Sequence, residues 1–229
     1  MKKNPLLTFF SIILLLAGCT ENDPASPAPT RGTMTLASSY SASVLAKYGS
    51  ASGVDSIRIT RARFLMKDVK FKNVLEDTLN FKSGAFILDL NLAGTEQTVA
   101  VADVPFGSYK RIEFDVHRIE PSTIAGRTDT AQFAEFLAGE RYSVIINGTV
   151  KIDGKDTAFT YRSKVDAKQK IDIAPPLTVS TDSVAVKTLL RISSANWFRN
   201  GAGVLLDPND KKNEGVIDEN IKVSIKLKR

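Results

Sequence analysis

The 229-residue chain holds one cysteine, one histidine and one tryptophan. With Cys19 alone, no intrachain disulfide can form, so any folded part is held together by packing. With His117 alone, a multi-histidine zinc or copper site is excluded. Long apolar runs are also missing. The main one, Leu6 to Leu16, would make a helix of only about 16 Å at ~1.5 Å per residue. A bilayer core is ~30 Å thick, so this segment does not span a membrane. Nucleophilic catalysis has little to draw on. Gly49-Ser50-Ala51-Ser52-Gly53 has the spacing of a nucleophile elbow but puts Ala51 where the serine belongs. It reads more simply as a flexible loop.

The same apolar run follows Lys2 and Lys3 and leads into Leu16-Ala17-Gly18-Cys19. A basic start, a short apolar core and small residues at the end describe a secretory signal. Leu-Ala-Gly directly before a cysteine resembles the lipobox of bacterial lipoproteins. That resemblance implies that residues 1–18 are removed and that the Cys19 thiol carries a diacylglyceryl group, with the new amine acylated in turn. Two or more acyl chains, at ~0.8 kcal/mol per buried methylene, anchor a protein stably where one does so marginally. A lipid-blocked Cys19 is no nucleophile. Loss of Lys2 and Lys3 lowers the formal net charge from +6 to +4. The remaining basic residues are interleaved with acidic ones, as in Lys110-Arg111-Ile112-Glu113. Such mixed charge on an exported chain bears on solubility rather than on nucleic-acid binding.

From Thr20 to Arg31 three prolines stand among small and polar residues, which favours a semi-rigid polyproline spacer. At ~3.1 Å per residue it reaches roughly 37 Å from the lipid. Thr20 rather than Asp after the cysteine points to the outer membrane under the sorting rule of enteric-type lipoproteins. Glu21 and Asp23 loosely resemble acidic surface-export tags of Bacteroidetes lipoproteins, and read more simply as solvated linker residues. The leaflet stays open.

The remaining 32–229 stretch is dominated by period-2 alternation. Ile57 and Ile59, then Phe64 and Met66, alternate with their neighbours. So do Phe86, Leu88 and Leu90, and Ile112, Phe114 and Val116. Val144, Ile146, Gly148, Val150 and Ile152 lead through Asp153-Gly154, a strong hairpin signal, into Thr157, Phe159 and Tyr161. Ile171 and Ile173, then Val184, Val186, Leu190 and Ile192, continue the pattern. Short strands with turn residues between them predict an all-β sandwich, and the Pro105-x-Gly107-x-Tyr109 hinge resembles turns of prealbumin-like and other immunoglobulin-like modules, which implies a sandwich of that type. Val104-Pro105-Phe106-Gly107 suits a type I turn, with proline at i+1 and glycine at i+3, and Tyr109 then opens a strand. One or two short helices are expected, the last at the C-terminus. Asp129 would cap one carrying Phe133, Phe136 and Leu137 and ending at Gly139. At the C-terminus Ile221, Val223, Ile225 and Leu227 alternate as in a strand. Val216, Ile217, Asn220, Ile221 and Ser224 also share one helical face, with Asp218 and Lys222 placed as an i,i+4 pair.

Asn196-Trp197-Phe198, Gly203, Leu206-Asp207-Pro208-Asn209, Asn213, Ile217 and Glu219 to Lys222 form a recognisable pattern. Together with Phe86 to Leu90 and the Pro105–Tyr109 turn, it resembles a domain-of-unknown-function family of lipoproteins from Bacteroidetes, Ignavibacteria and their relatives. The resemblance touches most of 32–229 and is strongest over about thirty residues at the end. It implies a helical last segment, and it brings no activity with it. Family members often continue into an acidic tail, whereas this sequence ends Lys226-Leu227-Lys228-Arg229.

Asp207, Asn209, Asp210, Asn213 and Glu214 supply oxygens within eight residues, and calcium takes six to eight oxygen ligands. The spacing is not that of an EF-hand. A proline turn followed by a helix cap from Asp210 or Asn213 is the simpler reading. Glu113, Asp115 and His117 leave one strand face about 7 Å apart, twice the ~3.3 Å rise. They read as the solvated side of a half-buried strand. Trp197 and Phe198 make a possible sugar platform, and read more simply as core. Beyond the anchor, no cofactor motif stands out. The expectation is a non-catalytic, membrane-anchored envelope module with a protein or glycan partner. The alternatives are a carboxylate-based glycan-acting enzyme, whose paired acids only the fold could reveal, and a calcium-stabilised adhesin domain.

Overall fold

The computed structural model describes residues 30–42, 44–46, 53–75 and 78–228. The signal segment, Cys19, the tether to residue 29 and positions 49–52 of the serine-rich loop lie outside the described residues. The chain forms β1 (Arg31–Ser41), β2 (Val44–Ala46), β3 (Val54–Asn73), β4 (Thr78–Asp89), β5 (Gln97–Pro105) and β6 (Gly107–Val116). Two single 3₁₀ turns and a one-turn helix, α1 (Ala134–Leu137), follow. Then come β7 (Val144–Ile152), β8 (Lys155–Ser163), β9 (Ala167–Val179) and β10 (Ala185–Ser193), with α2 (Glu214–Lys222) and β11 (Ile225–Lys228) last. The fold is all-β, two sheets packed in a sandwich.

The smaller sheet runs β11-β10-β1-β5 and the larger β8-β7-β3-β6-β9, with β2 and β4 also on β3. β1 and β10 are parallel; the other pairings are antiparallel. The 20-residue β3 is the spine of the larger sheet. Its core residues change parity twice, from Ile57 and Ile59 to Ala62, Phe64 and Met66, then to Val69 and Phe71. Each change coincides with a register shift, at Ile59/Arg61 against β7 and at Lys67/Val69 against β4. Asp68 sits at the second shift with φ 53°. An inserted residue moves the following side chains to the other face and bends the strand. At Leu65 one edge of β3 passes from β7 to β6. Its N–H donates to Ser143 O at 2.7 Å and its carbonyl accepts from His117 N at 3.2 Å.

Local signals account for the β7–β8 hairpin and for the turn by which the chain crosses from one sheet to the other between β5 and β6. Asp153 (φ 49°) and Gly154 (φ 77°) form the two-residue turn joining β7 to β8, the geometry that Asp-Gly favours. At the β5–β6 hinge the Tyr109 hydroxyl donates to Pro105 O at 2.8 Å and tightens the turn.

The main core lies between the sheets and contains Met34, Leu36, Phe64, Met66, Phe71, Ile112, Phe114, Ile146, Leu190, Trp197 and Phe198. A second cluster lies on the outer face of the larger sheet. There Leu65, Ala85 and Ile145 are covered by Ile119, Ile124, Phe133 and Phe136 from the 117–143 segment. Both Phe64-Leu65-Met66 and Val144-Ile145-Ile146 are thus buried on two faces. Unbroken apolar triplets are what such strands require.

The C-terminal segment contains both expected structures in succession. α2 ends at Lys222, and β11 then pairs with β10 through Ile192 to Ile225. Ile217 and Ile221 are fully buried, whereas Val216 is 44% exposed and outside the apolar stripe. Asp218 does not pair with Lys222. It accepts from the Tyr161 hydroxyl at 2.7 Å, and Lys222 meets Glu219 one turn back at 3.2 Å. α1 is shorter than its pattern implies. Asp129 makes no side-chain cap, because Arg127 and Gln132 hold its carboxylate. Ile171 and Ile173 of β9 are only half-buried, and Val184 is exposed. β9 is an edge strand, with neighbours on one side only.

Candidate functional site

Where the 117–143 segment leaves the outer sheet face, it opens a cleft of ≈ 260 Å³. The walls are Arg61 and Arg63 of β3, Ile87 and Asp89 of β4, and Ala131, Gln132 and Glu135 from the 3₁₀ turn and α1. Arg61 and Arg63 both follow the outer-face parity of β3. Arg63 stands in register with Ile145 on one side and Asp89 on the other. The Phe136 ring lies over it, 5.4 Å from the guanidinium carbon.

These neighbours bury the Arg63 side chain to 7% exposure, while its partner Glu135 stays 57% exposed. An Arg63 amino group donates to Glu135 Oε2, and its buried Nε has no partner. The Arg63 hydrogen bond holds the Glu135 carboxyl below the usual carboxylate range, with Arg61 and Arg162 adding to the effect. Arg61 donates from Nε at 2.9 Å and from Nη2 at 2.6 Å to one oxygen of Asp89. The cleft is therefore lined by two guanidinium groups and two carboxylates. One of these guanidiniums is buried with donor capacity to spare. Such a site can hold a carboxylate, because a guanidinium fork matches that shape.

Elsewhere the candidate residues serve their own backbone. Asp207 Oδ1 accepts from Asn209 N at 2.9 Å, and Asp210 Oδ1 accepts from Lys212 N at 3.0 Å, capping the turn that leads into α2. Asn213 turns its amide nitrogen to Asp207 O at 2.9 Å and makes no side-chain cap. Among the described residues no group of three or more His, Cys, Asp or Glu is placed around a common metal position.

Glu113 and Asp115 share the outer face of β6 and His117 follows its end, but the three do not converge on a metal position. His117 Nδ1 lies 3.1 Å from Asp166 Oδ1, and Arg118 binds the other Asp166 oxygen at 2.8 Å. Burial pushes Asp166 up, but hydrogen bonds from the Arg118 side chain and backbone outweigh it and leave the carboxyl below its ordinary value. Glu113 departs from the solvated-face expectation at 8% exposure. Lys70 and Lys170 stand in register on its two sides, and long lysine stems cover such a position readily.

Trp197 and Phe198 are fully buried and present no platform. Trp197 packs on Tyr40 and Phe64 with ring centroids 6.1 and 5.8 Å apart, and Phe198 on Phe159 and Tyr161 at 5.5 and 5.9 Å.

The cleft was not legible in the sequence. Arg61-Ala62-Arg63 places two cations on one strand face, but their partners arrive from β4 and α1, far along the chain. The one local trace was the pairing of Phe133 and Phe136, which shows that the 117–143 segment docks.

No family model matches this chain, and no curated protein matches it. Among solved structures, MbnP from Methylosinus trichosporium is 10% identical, covering 78% of this chain and 82% of its own, with a TM-score of 0.40.

Proposed function

We propose that the protein is a lipid-anchored module of the bacterial cell envelope whose β-sandwich binds a ligand without transforming it. The observation that carries this reading is Leu16-Ala17-Gly18-Cys19 behind Lys2, Lys3 and a short apolar run. Acyl chains on Cys19 would hold the chain at a membrane, probe-like on a proline-rich stem, with the outer membrane as the expected address. No helix of the described residues is long and apolar enough to cross a bilayer, so attachment in this reading falls to the lipid. The binding side of the proposal rests on the arginine-lined cleft, where the buried Arg63 guanidinium already holds one carboxylate, that of the exposed Glu135.

A Cys19→Ala variant tests the anchor. Thioether formation precedes cleavage in the lipoprotein pathway, so the variant should accumulate as an unlipidated precursor of unchanged length. Normal maturation and membrane retention of Cys19→Ala would overturn the proposal.

A further inference from the structure

We infer that the cleft between α1 and β3–β4 is a receptor site for a small polyhydroxylated carboxylate of the sugar-acid class, with Glu135 seated in it as a built-in competitor. This deepens the binding reading above and rests on it.

The argument begins with the imbalance of one ion pair. Arg63 is fixed: its side chain is 7% exposed, lies under Phe136 and belongs to the strand that forms the sheet's spine. Glu135 is 57% exposed and stands on a helix of four residues. It can turn out to solvent without opening the core, and Arg63 cannot follow. The cation left behind has a buried Nε with no partner and strongly favours a replacement carboxylate.

Charge decides how many anions enter. With Glu135 seated, Arg61 and Arg63 are balanced by Asp89 and Glu135. With Glu135 turned out, the lining carries one surplus positive charge. A single carboxylate restores neutrality, whereas a dianion overcompensates.

Size and the remaining walls define the rest of the ligand. At ≈ 260 Å³ the cleft is smaller than the ~300–1,000 Å³ usual for drug-sized ligands, so it fits about one ring. Gln132 and Asp89 offer polar groups for hydroxyls, while Ile87 and Ala131 offer apolar surface for the C–H face of a ring. A carboxylate, hydroxyls and one apolar face together describe a sugar acid.

The test is titration calorimetry of the full-length chain in detergent with D-galacturonate, and with D-galactose as the uncharged control. Saturable binding of galacturonate and none of galactose is expected. Glu135→Gln removes the competitor and should tighten galacturonate binding by about tenfold or more. Glu135→Asp, which keeps the charge but shortens the reach to Arg63, provides the same comparison if the Gln variant does not fold. Arg61→Gln should weaken binding. Trigalacturonate binding as well as the monomer would assign the end of a polymer as the source, and monomer-only binding a free sugar acid. Equal binding of galactose, no binding of galacturonate, or no tightening in either Glu135 variant would each overturn the inference. Binding is measured in solution, so it fails or stands independently of whether Cys19 is lipidated.

Discussion

Trp197 anchors the C-terminal segment in the core between the two sheets. It is fully buried between Tyr40 and Phe64, and its indole Nε1 has no hydrogen-bond partner, so its stabilising role is one of packing. Truncating such a side chain costs about 3–5 kcal/mol, a large share of the ~5–15 kcal/mol that holds a domain folded. Trp197→Ala should therefore lower the melting temperature steeply. Asp207→Ala and Asp210→Ala each remove one local turn or cap hydrogen bond and should cost only about 0.5–2 kcal/mol. Melting the three variants with calcium and with chelator checks both statements. A wild-type melting temperature that fell sharply on adding chelator would instead place a metal in the Asp207–Asn213 loop. Glu135 has a pH signature of its own. Its folded-state carboxyl lies below the ordinary range because Arg63 donates to it. Its contribution to stability is thus fully present above the unfolded-state value of ~4.3 and is lost as pH falls through the lower folded value. The gap in melting temperature between wild type and Glu135→Gln should be widest near neutral pH and close in acid. A gap that stays constant down to pH values well below the carboxylate range would show that Glu135 stabilises by something other than its charge.

β3, β7 and β8 show why strand patterns were readable and their joints were not. Alternation located core residues such as Phe64, Met66, Ile146, Phe159 and Tyr161 because a strand half-buried on one face must alternate. The two parity changes in β3 were not readable, because a bulge is defined by a partner strand, and the partners β7 and β4 are distant in the chain. The C-terminal ambiguity has the same origin. The segment carries a helical face up to Ile221 and strand alternation from Ile225, and only contact with β10 sets the point of change. Gly148 of β7 marks another close approach. A Cβ there would fall 2.3 Å from Arg58 O and 2.7 Å from the Phe159 ring. The ring can shift, but the β3 carbonyl belongs to the ladder and cannot move without breaking pairing. Gly148→Ala should destabilise by about 1–3 kcal/mol or more, read as a lower denaturation midpoint with an unchanged slope. A midpoint equal to wild type would mean that β3 and β7 are less tightly fixed than described.

For the molecule as a whole, the sandwich gives a chain with one cysteine a core that needs no disulfide. A single core shared by two sheets, with a second apolar cluster outside the larger one, buries enough surface for packing to suffice. The same outer cluster creates the cleft, because the 117–143 segment that covers Leu65, Ala85 and Ile145 also brings Glu135 to Arg63. Fold class was readable from local patterns, since strand alternation is local by nature. The cleft depends on three elements meeting, and nothing in a single strand or turn records that. The proposed anchor is tested most directly by mass spectrometry of the N-terminal peptide from the mature protein, purified from the envelope of its native cell. The lipoprotein reading predicts a chain that begins at Cys19 and carries the mass of a diacylglyceryl group with a further acyl chain on the amine. A peptide that begins at Met1, or at any other residue with an unmodified Cys19, would contradict it.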